Sequence, residues 1–248
     1  MKFICRPKKE PNSLDYFRKH YSEWSEIYPN SKIQGKDKSK TTKKQDKQAK
    51  DQLKLALLDM QRRRCAYCEI LLNVDKDANI EHFIPRSRGK GSVKKLKKDF
   101  EWDNLFISCS NSQSCGALKA DKNPDGVFKP DELGSVRIEN CLGYDADGED
   151  FALVDLDEEN ARKANKTIDF FGLNCPSLVN KRKHALMLMR SKFIEQSSIC
   201  TNEQECAEIS ANYVKDLQGF DGSCEFWQRQ LDLLRDYNYK DILKRFLE

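Results

Sequence analysis

Long hydrophobic runs are missing from this chain of 248 residues. No stretch approaches the roughly 18 apolar residues that a membrane-spanning helix needs, which excludes a helical membrane protein. The opening Met-Lys-Phe-Ile-Cys-Arg-Pro-Lys-Lys has no apolar segment long enough for a signal peptide, so a cytoplasmic location is expected. A phosphate-cradling G-x-x-x-x-G-K-[ST] loop is absent as well. Gly89-Lys90-Gly91-Ser92 is too short for one, so any nucleotide-driven step would have to come from a partner. Histidine is scarce, with three in the chain, and no internal repeat is visible. Cysteine, by contrast, is plentiful at ten. Structural disulfides are rare in a reducing cytosol, so the cysteines raise the question of metal binding. Apolar residues at 38% suffice for one large domain or two small ones.

The net charge of +4 hides a division. Residues 1–124 carry 28 Lys and Arg against 16 Asp and Glu, or +12; residues 125–248 carry 16 against 24, or −8. Arg86–Lys98 holds seven cations and no anion, and Asp145–Glu159 eight anions and no cation. Such runs are often only solvated faces, but the asymmetry fits a nucleic-acid-facing front and a differently employed back.

Periodicity predicts an α+β chain, mainly helical, in three parts. Residues 1–54 comprise a short helix over 11–28 (Leu14, Phe17, Tyr21 and Trp24 at helical spacing) and a lysine-rich linker or arm from Pro29 to about Asp46. A second helix over 47–64 leads into residues 55–125, where short apolar stretches from Cys65 to Lys122 read as two or three strands and then a helix. Residues 126–248 read as helical. One helix runs from Glu158 to Phe171 and stops at Gly172, another spans Leu178–Ile194, a third is capped by Thr201 and Gln204, and a last one surrounds Phe226 and Leu234.

Cys65-Ala-Tyr-Cys68 alone would fit a redox dithiol, packed thiols or half of a metal site. Cys109 and Cys115 lie about forty residues downstream, beyond strand-like sequence. Two pairs bracketing a small β unit read as a structural Zn²⁺ site with four thiolates, stapling a unit too small to bury enough apolar area alone. The other six cysteines read as bystanders.

Between the pairs stands Asn79-Ile-Glu-His-Phe-Ile-Pro85, then Trp102-Asp-Asn-Leu105, then Cys115 followed by Lys119. This pattern resembles the HNH endonucleases of the ββα-metal fold, and the resemblance implies a small ββα-metal unit embedded between helical segments. It implies His82 as the base that activates a water, Glu81 as a ligand of a catalytic Mg²⁺ or Mn²⁺, and Asn104 as the clamp of the loop carrying His82. Glu81 and His82 are strand neighbours that point to opposite faces, so they converge only where the strand ends in a distorted turn. The family's third position falls on Gly116, which has no ligating atom. Asn111 is the expected substitute, with Gln113 or water as alternatives. Arg86, Arg88, Lys94, Lys95 and Lys119 are expected to contact phosphates, which carries affinity rather than sequence choice.

Phe128-Lys-Pro-Asp-Glu-Leu and Ala164–Asn174, with Leu178 and Arg182, extend the likeness over roughly residues 55–190. They are similar to the retron-associated and Septu antiphage-defence type of HNH endonuclease, the PtuB-like group. That resemblance implies a defence effector cutting DNA or a host RNA such as tRNA. It also implies an ABC-type ATPase partner (PtuA-like) and, in some systems, a retron reverse transcriptase with its DNA–RNA product. The acidic half would serve as a docking surface for the partner, or be an ordinary solvated subdomain. The competing expectation is a zinc-stapled nucleic-acid-binding or adaptor module without catalysis.

Overall fold

The computed structural model describes residues 1–183 apart from 2, 30–31, 34–35, 73–76, 87–97, 135, 145–148 and 153–155. It is a mixed α/β structure, mostly helical, with small antiparallel strand pairs. Among the described residues no helix is long and apolar enough to cross a membrane.

The first helix, α1 (Asn12–His20), is shorter than its periodicity suggests. It stops because Glu26 turns back to accept the backbone N–H groups of Ser22 and Glu23, which starts a separate 3₁₀ turn over Trp24–Ile27. Leu14, Phe17, Tyr21 and Trp24 are nevertheless all buried, as their spacing requires.

The lysine-rich segment differs from the expected linker. After a two-residue hairpin, β1 (Lys32–Ile33) and β2 (Lys36–Asp37), helix α2 spans Lys40–Met60, with the Ser39 hydroxyl accepting from the Thr42 N–H. Its anchor is Asp46, a carboxylate within the expected arm. The side chain is buried and accepts from the Tyr16 and Tyr21 hydroxyls and from Lys38 Nζ at 2.9, 2.5 and 2.6 Å. Burying a carboxylate is tolerable only with such a full set of partners. Burial and the Asp46 bond push the Tyr16 hydroxyl up to about 12.

Beyond α2, β3 (Asn79–His82) pairs antiparallel with β4 (Leu105–Ser108), in the register Ile80–Ile107, Glu81–Phe106 and His82–Leu105. β4 is buried throughout, and its far edge is closed by Gln61, whose amide accepts from the Ile107 N–H at 2.7 Å and donates to the Ile107 carbonyl at 2.9 Å. The short helix α3 (Cys115–Lys119) follows. A hairpin of β5 (Leu142–Tyr144) and β6 (Asp150–Ala152) then interrupts a region expected to be helical. Helix α4 (Glu158–Phe171) is capped by Asp157 and stops at Gly172 in the left-handed conformation, φ 56°, as predicted. Residues 176–183 are again helical; the expected helices at Thr201 and Phe226 lie outside the described residues.

One continuous core joins these elements. Tyr67 stacks on Phe171 with ring centroids 4.0 Å apart, and Phe83 meets Phe106 edge to face. Strand pair, cysteine cluster and α4 are thereby held against one another.

Candidate functional site

The two cysteine pairs converge. The sulfurs of Cys65, Cys68, Cys109 and Cys115 lie within 4.8 Å of one another, and all four residues are buried. Cys68 Sγ and Cys109 Sγ are 3.8 Å apart, the separation that a tetrahedral ion with Zn–S bonds of about 2.3 Å imposes and about twice a disulfide bond. Burial acts to raise the thiols of Cys65, Cys68 and Cys115. At Cys65, hydrogen bonds from the Cys109, Cys115 and Cys68 thiols outweigh burial and hold it well below the usual thiol range. Burial and the neighbouring sulfurs push Cys68 and Cys115 well above it. Cys115 reaches the cluster from a left-handed backbone, φ 56°, an unusual conformation for a side chain with a Cβ. Four buried cysteines this close could hold a metal such as zinc.

The five residues between Cys109 and Cys115 have another use. Asn111 Nδ2 donates to Ser177 Oγ at 2.9 Å, and its Oδ1 accepts from the Gln113 N–H at 3.0 Å. Gly172 packs so closely here that a Cβ would lie 2.7 Å from the Gln113 carbonyl. The long spacing therefore seats the C-terminal helices against the cysteine cluster. Both ends of the Asn111 amide, the expected substitute ligand, are thus engaged by Ser177 and Gln113. Gln113 is exposed on the same loop.

Glu81 and His82 occupy opposite faces of β3, since strand pairing stays regular through His82 and the expected distortion is absent. Glu81 points at α3, where Lys119 Nζ donates to its Oε1 at 2.8 Å. Lys119 is 1% exposed, and its ammonium also donates to the His82 and Ala120 carbonyls at 2.7 and 3.2 Å. Lys119, expected to contact phosphate, thus spends its ammonium on three internal acceptors. Burial raises the Glu81 carboxyl, and Lys119 only partly offsets the effect. A Cβ at Gly116 would lie 2.9 Å from both Glu81 Oε2 and Ser108 Oγ, and the Gly116 N–H donates to that hydroxyl at 3.0 Å.

A catalytic divalent cation fits this arrangement poorly. The Glu81 carboxylate is paired with Lys119 and crowded by Gly116 and Ser108, and among the described residues the four cysteines are the one group of three or more His, Cys, Asp or Glu close enough to share an ion.

His82 sits on the other face, 6% exposed, with Trp24 edge-on at 4.8 Å between ring centroids. Its Nε2 lies 2.9 Å from the Asp99 carbonyl. A carbonyl only accepts, so Nε2 carries the proton and Nδ1 the lone pair. Among the described residues nothing hydrogen-bonds Nδ1. Burial pushes the imidazole down to about 4, with the nearby Arg86 charge acting in the same direction. Arg86 thus lies close enough to act on both His82 and Glu81, and its Nη1 is buried with no hydrogen-bond partner among the described residues.

Asn104 is placed as a clamp. It is 2% exposed. Its Oδ1 accepts from the Ile84 N–H at 2.7 Å, while Nδ2 donates to the Ile84 and Lys98 carbonyls at 3.0 Å each. One amide closes both ends of the segment between them, and Lys98 adjoins the Asp99 carbonyl that fixes the His82 tautomer. Arg88, Lys94 and Lys95 lie outside the described residues.

Asp99 and Trp24 were not legible as site residues. Asp99 ends a run that reads as purely cationic, and Trp24 reads as core. In the structure the Trp24 N–H donates to Asp99 Oδ2 at 2.8 Å, tying the 3₁₀ turn to the acceptor of His82.

No family model matches the chain. It is similar to the Septu protein PtuB of Bacillus thuringiensis, with 27% identity over 149 residues, covering 59% of this chain and 49% of that protein. The chain spans about half the length of the curated relative it matches. The likeness is distant and supports a Septu-related protein.

Proposed function

We propose that this chain is an HNH-type endonuclease, hydrolysing phosphodiester bonds as the effector of a Septu-like antiphage system together with an ABC-type ATPase. The observation that carries this reading is the state of His82: a neutral imidazole whose Nε2–H is fixed by the Asp99 carbonyl, leaving Nδ1 as the base. A water deprotonated by Nδ1 would attack phosphorus as the P–O bond to the leaving sugar oxygen breaks, and that oxygen would take a proton from solvent. The Arg86 guanidinium, whose Nη1 has no hydrogen-bond partner among the described residues, is the nearby cation suited to the phosphate's charge. The strand–strand–helix order and the converged cysteines support a zinc-stapled ββα unit. The relative's name supports the defence context. The Mg²⁺ or Mn²⁺ that the resemblance implies is left out of this reading, because Glu81 is already paired with Lys119.

The Glu81–Lys119 pair favours a second reading, a nucleic-acid-binding module without catalysis. His82→Ala decides between them. The chain is co-expressed with its genomic ATPase neighbour, and the 5′ ends of cleaved nucleic acid are sequenced with metal present and with metal chelated. Loss of cleavage with unchanged zinc content supports the nuclease; cleavage or toxicity that survives the substitution overturns it.

A further inference from the structure

We infer that one face of α2 is a binding track for a nucleic-acid strand that leads to β3, an inference resting on the nuclease reading above. Lys43, Lys47, Lys50 and Lys54 recur at intervals of four, three and four residues, which places them on one side of the helix. They line a cleft of about 370 Å³ whose opposite wall includes Tyr28 and residues Ala78, Asn79 and Ile80. Two of those, Asn79 and Ile80, begin the strand that ends in Glu81 and His82. The track therefore runs onto the candidate catalytic strand.

Helix electrostatics argue against a purely structural origin for the stripe. The first turn of α2 has no acidic residue, and lysines stand at positions 40, 43 and 44, where the positive end of the helix dipole disfavours cations. Like charges three and four residues apart repel further. Of the carboxylates lining the cleft, Asp46 is committed to Lys38, Tyr16 and Tyr21, and Asp51 is exposed. A polyanion lying along the stripe would offset this repulsion. From Lys43 to Lys54 the helix rises about 16 Å, which matches about five nucleotides of stacked strand.

Tyr28 indicates that the polyanion carries bases. It is 44% exposed at the rim of the cleft, with Lys50 Nζ 4.9 Å from its ring centre. An exposed aromatic beside a row of cations is the arrangement that binds single strands, by stacking bases while ammonium groups follow the phosphates. An acidic protein surface would not need the ring.

The test uses the full chain with His82→Ala, so that ligand is not consumed. Fluorescence anisotropy follows binding of a 20-nucleotide single-stranded DNA, the same sequence as RNA, and a DNA duplex, over a range of salt. Lys43→Gln, Lys47→Gln, Lys50→Gln and Lys54→Gln are combined; glutamine keeps helix propensity close to lysine, and thermal unfolding checks the fold. Binding of a single strand is expected to weaken at least about tenfold, with the salt slope shallower by about 3 for four lost phosphate contacts. Tyr28→Ala is expected to weaken single-strand binding about tenfold while sparing the duplex. Lys8→Gln with Lys9→Gln, on exposed residues elsewhere, is expected to change neither. The DNA and RNA arms identify the sugar. An unchanged slope in the quadruple variant overturns the track, as does polyglutamate competing as well as the oligonucleotide, which would indicate an acidic protein. The two readings fail separately. Binding through these lysines by a wild-type chain that never cleaves defeats the nuclease alone, and cleavage with binding indifferent to them defeats the track alone.

Discussion

The carboxylate of Glu81 stands in the space that a side chain at Gly116 would need, Oε2 lying 2.9 Å from where its Cβ would be. Gly116→Ala is therefore expected to displace Glu81 or Ser108. Overpacking of this kind costs about 1–3 kcal/mol, measurable as a lower urea midpoint. An alanine variant as stable as wild type would show that the carboxylate moves freely.

Lys119→Met should be worse. It removes the buried partner of Glu81 and leaves that carboxylate uncompensated, at a cost of about 3–5 kcal/mol. Pairing it with Glu81→Leu should recover much of the loss, because neither charge is then buried alone. A double-mutant cycle in urea gives the coupling, and additive losses would contradict the pairing.

Asn104→Ala deprives the Ile84 N–H and the Ile84 and Lys98 carbonyls of their partners. A destabilisation of about 2–4 kcal/mol is expected. Cleavage should fall further than stability explains, since the Asp99 carbonyl that orients His82 adjoins Lys98. Full activity under conditions where the variant is folded would separate the clamp from the chemistry.

The imidazole of His82 makes a prediction in pH. Its pKa falls from 6.5 to about 4 on folding, chiefly through burial. Between those values the unfolded chain holds a proton that the folded chain does not, so stability rises with pH across that window. Acidification from pH 7 to 4 should therefore cost about 3 kcal/mol through this group. Urea unfolding of wild type and His82→Ala at several pH values isolates it as the difference in slope. If His82 is the base, kcat/KM stays level from pH 7 to 5 and falls near 4; a break near 6.5 would contradict its buried state.

Cys65→Ala opens the four-sulfur cluster without touching His82. Wild type is expected to bind about one zinc per chain, and the variant to lose it together with thermal stability, as metal analysis and a melting curve would show. Strong chelation of wild type should lower the melting temperature likewise. Unchanged stability after complete metal removal would make the cluster ordinary buried thiols.

Local chemistry was legible in the residues themselves. The Cys65–Cys68 and Cys109–Cys115 pairs, the strands carrying His82 and Leu105 and the stop at Gly172 could all be read because turn geometry, strand alternation and ligand spacing act over a few residues. Packing across the chain decided the rest. Lys119 and Asn111 are polar residues whose sequence neighbours say nothing of burial; β3 and α3 took the first into an ion pair with Glu81, and the C-terminal helices took the second. Asp46 looked like part of a solvated arm until Tyr16, Tyr21 and Lys38 converged on it from other elements. The sequence by itself determined which groups could ionise, ligate or donate. Only the tertiary structure decided which of them were desolvated together, and desolvation is what turns a charged residue into a partner, a base or a staple.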